Sequence, residues 1–356
     1  MKTIRGKSLV NTLPPTLPME ERRIDLVEAV ETGISFYYQT LGLILMRNSN
    51  PFEKDYFYSL LFSGSIPGVI SYNLEYAHQM SGRIPLFAMQ DGTRYGLYGS
   101  LSYSLGGFGV SIEYKNYHDL LIGTGISDPP TAVREHKYKV LNRSIHVPQL
   151  QDESGIQVEA YYTFRNFQRL VFNYARSVNE FGTSFVFEEF FTEFSFYPGR
   201  RSHVTLFGDY ATDDFRSEDL RLAGGALWEY TVLGRWSTNL HLEYQYIRRD
   251  LLERVDMNNG VLIAGVNRSP DLSLSILWEW SSDPFLTESS GNTNGGSEDG
   301  THYRHWPGLE ASYRINPTNT LSIFAGKRRG GPACTSGICY EVLDFEGVEI
   351  RFRTKF

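Results

Sequence analysis

The amino-acid sequence predicts an all-β fold, an antiparallel up-and-down transmembrane β-barrel of about sixteen strands with short periplasmic turns and long extracellular loops. Three observations predict this class. Segments of about ten residues alternate between apolar and polar side chains. Aromatic residues make up 14% of the chain, and its 33 Gly outnumber its 15 Pro. Tight turns and longer loops also alternate along the chain, which is typical of a barrel that crosses a membrane.

The N-terminal part is the least regular. We divide the chain into an N-terminal segment, residues 1–33, interpreted as a strand remnant of a longer chain, and a barrel domain, residues 34–356. The first residues are basic but lack the continuous apolar core and small-residue cleavage site of a signal peptide. Three interpretations are open: the chain starts at an internal Met of a longer protein, its signal peptide has been removed, or the protein is not exported. We favour the first. The strands predicted before the longest loop are 34–46, 56–63, 69–78, 94–105 and 108–117.

A long irregular segment, residues 119–152, follows these strands. Loops of this length without secondary structure are usually functional or disordered. His136 and His146 lie in it beside Arg134, Glu135 and Arg143. We expect these residues to pack the loop or to form a plug rather than to catalyse a reaction.

Beyond this segment the predicted hairpins become regular. The strands are 154–165, 168–177, 184–197, 202–212, 220–233, 236–249, 260–267, 272–282, 302–315, 320–327 and 347–356. Counted back from the C-terminus, every tight turn falls at one end of the strands and every longer loop at the other. Bacterial barrels sort their connections in this way, with the C-terminus on the periplasmic side.

The last predicted strand, Gly347 to Phe356, alternates between apolar and charged side chains up to a terminal aromatic residue. It resembles the closing strand of bacterial outer-membrane β-barrels, in which a terminal Phe is the assembly signal. The resemblance implies that Phe356 is the signal read by the barrel-assembly machinery, and that the protein lies in the outer membrane of a Gram-negative bacterium.

The two registers of the strands separate chemically. One carries mostly apolar side chains, which are predicted to contact outer-membrane lipid, because charged groups that face hydrocarbon are costly. The other is predicted to face the lumen, where charged rings set ion preference or paired ions fill the barrel. The candidate lumen-facing residues are Glu159, Glu243, Glu279, Glu310, Arg314, Arg351 and Arg353.

Composition excludes several classes of protein. No segment approaches the 18 to 20 consecutive apolar residues, roughly, of a spanning helix, so a helical membrane protein is excluded. A net charge of −7 provides no basic surface for nucleic acid, and we expect no nucleic-acid partner. Walker, dinucleotide and zinc-protease motifs are missing, and His302 with His305 is too small a ligand set. No cofactor and no metal are predicted.

An enzyme on the barrel rim is the least favoured class. Ser184, His203 and Asp209 can be combined into a Ser-His-Asp triad on paper. Chance combinations are common in a chain rich in Ser and Asp, and no glycine-flanked Ser supports this one. We therefore predict that the protein is not an enzyme and has no catalytic residues.

The two cysteines, Cys334 and Cys339, stand close together in the sequence. A metal site would need further Cys or His ligands nearby, so a local disulfide that closes a small loop is the favoured interpretation. The orientation set by the C-terminal strand places this loop on the extracellular side.

Three segments together suggest a family. They are Asp128 to His136, Leu141-Asn-Arg with the following His146-Val147, and Gly330 to Cys339. They resemble a family of uncharacterised bacterial outer-membrane barrel proteins, over roughly Pro85 to Phe356. Members are generally longer at the N-terminus, which implies a truncated member here. The family implies a barrel but brings no substrate or catalytic residue with it.

These observations predict a porin-like channel or another barrel that transports small solutes. The alternative is a non-conducting barrel, structural or associated with secretion, whose extracellular loops bind a partner. The two hypotheses differ in whether the lumen is open or plugged.

Overall fold

The structure, a computed structural model, describes residues 2–11, 24–36, 38–49, 54–81, 94–118, 120, 132–146, 152–181, 183–250, 253–284, 286, 303–335 and 338–355. Within these ranges it contains twenty strands, a single-turn helix α1 (Lys139–Asn142) and a 3-10 turn (Asp214–Arg216). The strands are β1 Lys2–Asn11, β2 Ile24–Phe36, β3 Gln39–Ser49, β4 Lys54–Ile66, β5 Ile70–Ser81, β6 Arg94–Leu105, β7 Phe108–His118, β8 Asp152–Thr163, β9 Arg169–Phe181, β10 Thr183–Gly199, β11 Ser202–Asp213, β12 Glu218–Leu233, β13 Trp236–Asp250, β14 Arg254–Arg268, β15 Leu272–Ser281, β16 Arg304–Arg314, β17 Asn319–Arg328, β18 Gly331–Thr335, β19 Ile338–Val342 and β20 Phe345–Thr354.

The predicted fold class is confirmed. Strands β1 to β17 and β20 belong to one 18-stranded sheet, while β18 and β19 form a separate two-stranded hairpin. Consecutive strands pair antiparallel from β1 to β7, from β10 to β17, and from β17 to β20. No helix among the described residues is both long and apolar enough to span a membrane.

The sixteen predicted strands correspond to β3–β17 and β20, with β1 and β2 as two further strands at the N-terminus. One predicted strand, Ile34 to Met46, is in fact the end of β2 and most of β3. Residues 37 and 38 separate them and include neither Gly nor Pro, so the sequence carries no turn signal there. Strand β2 runs through residue 33, where we separate the N-terminal segment from the barrel, and that division stays a prediction.

The chain divides into two compact units. The first contains residues 1–134, 147–160 and 174–186, and the second contains residues 135–146, 161–173 and 187–356. In the first unit, Lys115 of β7 forms an ion pair with Glu153 of β8, and both side chains are fully buried. A Cβ at Gly155 would lie 2.8 Å from Lys115 Cε, so Gly155 makes room for this buried lysine.

In the second unit, the exposed face of the sheet is apolar and the buried face is polar, the reverse of a water-soluble protein. The outer face exposes large apolar side chains, including Phe190, Tyr210, Leu222, Leu242, Tyr244, Leu274 and Ile276. The inner face buries polar and charged side chains, including Glu189, Asp209, Arg221, Glu243, Gln245 and Glu279. A water-soluble protein buries apolar groups and exposes charged ones. The reversed arrangement is that of a barrel wall with a lipid-facing outer surface.

The predicted tight turns are present, but several of the predicted longer loops are short. Short turns at residues 67–69, 106–107, 164–168, 200–201, 234–235, 269–271 and 315–318 join strands at one end. Gly106 and Gly234 adopt φ of 62° and 58° there, which residues with a Cβ rarely do. The strands between these turns extend further than predicted, so that β12 begins five residues after the end of β11 and β14 begins four residues after the end of β13.

The predictions for the C-terminal residues fall partly outside the described residues. Cys334 of β18 lies directly opposite Cys339 of β19 in the backbone register. The disulfide between their side chains lies outside what the structure describes and stays a prediction, as does the role of Phe356.

Replacing Ile276 by Arg tests the outer face. Ile276 is 57% exposed in the middle of β15. Arg facing the midplane of a bilayer destabilises a barrel by about 2–4 kcal/mol, whereas a surface substitution in water changes stability by about 0.5 kcal/mol or less. Denaturant unfolding in lipid vesicles measures the difference. Leu343→Arg is the control, because Leu343 is 81% exposed outside the strands. Equal small effects would contradict contact between Ile276 and lipid.

The cysteine pair can be tested by mass spectrometry. We expect denatured, unreduced protein to take up no alkylating reagent and reduced protein to take it up at both of its 2 cysteines, because a disulfide has no free thiolate. Alkylation before reduction, in protein prepared from an oxidising compartment, would show that the hairpin holds two thiols.

Candidate functional site

The site of interest is residues 135–146, called the inserted segment below, which contain α1 and pack on the inner face of the second unit. Its Tyr138, Val140 and Leu141 are buried and form one apolar cluster with wall residues. The wall contributes Phe191 of β10, Phe207 of β11 and Val261 of β14. The ring of Tyr138 stacks on that of Phe207 with centroids 3.6 Å apart and planes 20° from parallel.

Gly225 of β12 gives this stack its space. A Cβ at Gly225 would lie 2.4 Å from both Cε1 of Phe207 and the carbonyl oxygen of Leu242, far inside van der Waals contact. Phe207 therefore lies flat against the wall over a residue without a side chain, and Tyr138 covers it from the lumen side.

Glu243 of β13 accepts hydrogen bonds from the backbone N–H groups at the start of α1. The backbone N–H of Lys139 donates to Glu243 Oε1 at 3.0 Å, and that of Val140 donates to Oε2 at 2.7 Å. The first N–H groups of any helix lack partners within the helix, and a carboxylate there also suits the helix dipole. Tyr138, the N-cap residue, offers no side-chain cap, so the wall supplies one instead.

Glu279 of β15 binds two basic side chains of the inserted segment. Lys139 Nζ lies 3.0 Å from Glu279 Oε1, and Arg143 Nη1 donates to Oε2. Arg143 Nη2 also donates to the carbonyl oxygen of Arg329 at 3.1 Å. Because Glu279 is 5% exposed, its charge requires these partners.

The side-chain amide of Gln245 forms hydrogen bonds with the C-terminal half of the inserted segment. Its Nε2 donates to the carbonyl oxygen of Val140 at 3.2 Å and lies 3.1 Å from Ser144 Oγ. Asn259 Nδ2 donates in turn to Gln245 Oε1 at 3.0 Å. This chain of amides orients Gln245 and continues the polar inner face into β14.

A buried charge cluster holds the beginning of the inserted segment. His136 Nε2 lies 3.1 Å from Glu189 Oε2. Arg221 of β12 donates from Nε to Asp209 Oδ2 at 3.0 Å, from Nη2 to Glu189 Oε1, and from Nη1 to the carbonyl oxygen of Ser144. The guanidinium of Arg221 on β12 thus binds β10, β11 and the inserted segment.

His146 fixes the end of the inserted segment. Its Nδ1 lies 3.3 Å from Asp213 Oδ2, and its ring stacks on Phe187 with centroids 4.5 Å apart. Asp213 Oδ1 accepts from the backbone N–H groups of Phe215 and Arg216 and so caps the 3-10 turn. A histidine against a wall carboxylate therefore stands at each end of the inserted segment.

Arg329, just beyond the end of β17, adds positive charge beside Arg143. Burial, and secondarily the neighbouring Arg143, lower the pKa of Arg329 to about 10. The guanidinium still keeps its proton at neutral pH. Its Nη1 donates to Asn259 Oδ1 at 3.0 Å, and its charge lies over the ring of Trp306 at 5.5 Å.

The seven predicted lumen-facing residues do not converge on one site. Glu243 and Glu279 contact the inserted segment. Glu159, in the first unit, forms an ion pair with Arg134, and Glu310 is half-buried on the inner face of β16. Arg314, Arg351 and Arg353 are exposed, and Arg351 forms an ion pair with Glu349 at 2.6 Å.

Several wall residues of the site, among them Glu189 and Arg221, are not among the seven predicted lumen-facing candidates. Glu189 stands next to Glu188 between aromatic residues, so the alternation does not say which carboxylate faces inward. Arg221 lies between two leucines in an alternating stretch and could have been selected on that signal. The sequence singles out Asp209 only as a possible member of a triad with Ser184 and His203.

The structure separates that triad. His203 and Asp209 are six residues apart on β11, roughly 20 Å along the strand. His203 lies instead 3.7 Å from Glu229 and stacks on Tyr197, while Asp209 binds Arg221. These two side chains cannot act on one substrate atom.

Glu243→Ala tests the anchoring of α1. The change leaves the buried N–H of Val140 and the partly buried N–H of Lys139 without their acceptor, and an unsatisfied buried group costs about 1–3 kcal/mol. We expect amide hydrogen exchange in residues 139–146, followed by mass spectrometry, to become about tenfold faster or more, as that energy implies. Glu310→Ala removes an inner-face carboxylate that does not cap α1 and is the matched control. Unchanged exchange in the Glu243 variant would contradict the anchoring role.

No family model and no curated protein sequence matches the chain, so the resemblance to an uncharacterised outer-membrane family stays a prediction. Among solved structures, the chain is similar to a bacterial polysaccharide outer membrane secretin at 8% identity, over 73% of this chain and 83% of that chain, with a TM-score of 0.34. It is also similar to the copper transporter OprC at 12% identity, over 99% and 75% of the two chains, with a TM-score of 0.38.

Proposed function

We propose that this protein is an outer-membrane β-barrel that transports small solutes, and that the inserted segment narrows its lumen. The observation that carries the proposal is the contrast between the two faces of the wall. The outer face exposes apolar side chains suited to lipid, and the inner face holds residues 135–146 by ion pairs and hydrogen bonds.

Polar groups on the inner face of β9, in the first unit, support a hydrated lumen. On β9, Ser177 Oγ and Asn179 Oδ1 are buried and find no hydrogen-bond partner among the described residues. Buried polar groups of this kind are normally satisfied by water. The inner wall of β9 is thus suited to a hydrated lumen, which small polar solutes need.

The second candidate is a non-conducting barrel whose extracellular loops bind a partner. The extent of contact between the inserted segment and the wall favours it, because Tyr138 and Leu141 are almost completely buried there. Under this alternative the segment fills the lumen permanently. We propose no catalytic activity, because His203 and Asp209 of the one candidate triad lie far apart along β11.

Single-channel conductance in planar lipid bilayers distinguishes the two functions. We expect low conductance from the wild-type protein and a severalfold higher conductance from the Glu243→Ala/Glu279→Ala variant. The double variant removes the wall carboxylates that accept from α1, Lys139 and Arg143, so the inserted segment should be held more weakly and should leave the wall more often.

Glu310→Ala is the control for the change in lumen charge, and we expect its conductance to match the wild type. Heat-modifiable migration on a gel verifies that each variant is folded. If folded wild-type and double-variant proteins both fail to conduct, the transport proposal is wrong and the non-conducting alternative replaces it.

A further inference from the structure

We infer that His136, Glu189 and Asp209 form a binding site for a divalent first-row transition metal such as Zn²⁺. One imidazole nitrogen and one oxygen from each carboxylate lie within 4.8 Å of one another, and all three residues are buried. They come from the inserted segment, β10 and β11, so one metal ion would join three parts of the second unit. The inference does not depend on whether the barrel conducts.

The spacing of the donor atoms suits a metal. His136 Nε2 and Glu189 Oε2 are 3.1 Å apart. Adjacent ligands of a tetrahedral Zn²⁺ with bonds of about 2.0–2.1 Å lie roughly 3.3 Å apart. A small movement of either side chain is enough to place both atoms at bonding distance from one ion.

Arg221 orients the two carboxylates through one oxygen of each. It donates to Glu189 Oε1 and to Asp209 Oδ2, while Glu189 Oε2 contacts His136 Nε2 and Asp209 Oδ1 has no hydrogen-bond partner among the described residues. Outer groups that hold metal-binding carboxylates in place are common around protein metal sites. With two carboxylates against one guanidinium, the group keeps a surplus negative charge when His136 is neutral.

The buried, unsatisfied state of Asp209 Oδ1 independently supports a metal site. This oxygen is buried and accepts no hydrogen bond from any part of the chain that the structure describes. Asp209 is 6% exposed, and an unsatisfied buried acceptor of this kind costs about 1–3 kcal/mol. Coordination of a cation would remove that cost. A mixed set of one imidazole and two carboxylates suits Zn²⁺ and its first-row neighbours better than a thiolate-preferring ion.

Zinc titration of the full chain, folded in detergent micelles and freed of metal with a chelator, tests the site. Equilibrium dialysis with elemental analysis should show about one tightly bound Zn²⁺ per chain, and the thermal unfolding midpoint should rise, as binding to the folded state requires. Substituting Co²⁺ should give visible absorption bands that report its ligand geometry.

The matched pair of variants is His136→Gln and His146→Gln, because both histidines are buried in the inserted segment beside a carboxylate. We expect the first to lose zinc binding and the thermal shift, and the second to keep both. Asp209→Asn, which preserves the shape of the side chain, should weaken zinc binding at least tenfold if His136→Gln does not fold. Absent zinc binding in the wild type, or undiminished binding in the folded His136→Gln or Asp209→Asn variant, would overturn the proposal.

Discussion

The buried guanidinium of Arg221 is the interaction on which the inner face of the second unit depends. It is fully excluded from solvent, and it binds Asp209 of β11, Glu189 of β10 and the carbonyl oxygen of Ser144 in the inserted segment. Removing a charge from water costs several kcal/mol unless partners compensate it. Arg221 and the two carboxylates therefore compensate one another's buried charge. Loss of Arg221 would leave Asp209 and Glu189 side by side without its positive charge.

The same constraint explains why a loop segment lies on this wall. An outer face that contacts lipid forces the polar side chains of each strand inward. On β10, β11, β13 and β15 those side chains include the carboxylates Glu189, Asp213, Glu243 and Glu279. The inserted segment brings the complementary groups, which are His136, Lys139, Arg143 and His146. Opposite charges thus make the segment and the wall fit each other, and the apolar Tyr138 stack adds to the fit.

Much of the fold could be predicted because a strand with one buried face alternates between apolar and polar side chains along the sequence. Glu243 and Glu279 were assigned to the inner face by that period alone, and the structure buries both. Their partners could not be predicted, because Lys139 and Glu243 are 104 residues apart and no local pattern records a contact across that distance. The plug role expected for His136 and His146 rested only on the length of their loop. No turn is predicted at Tyr38, because tyrosine is enriched in strands.

The inserted segment owes its own structure to the wall. Helix α1 has 4 residues, far fewer than the roughly 12 to 15 that an isolated helix needs in water. Away from Glu243 its first N–H groups would lose their acceptors, and Val140 and Leu141 would each give up about 1.5–3 kcal/mol of burial. Leaving the wall and unfolding are therefore the same event for this segment. A ligand can open such a lumen only by binding the displaced state more tightly than the seated state, by at least the free energy that seating contributes.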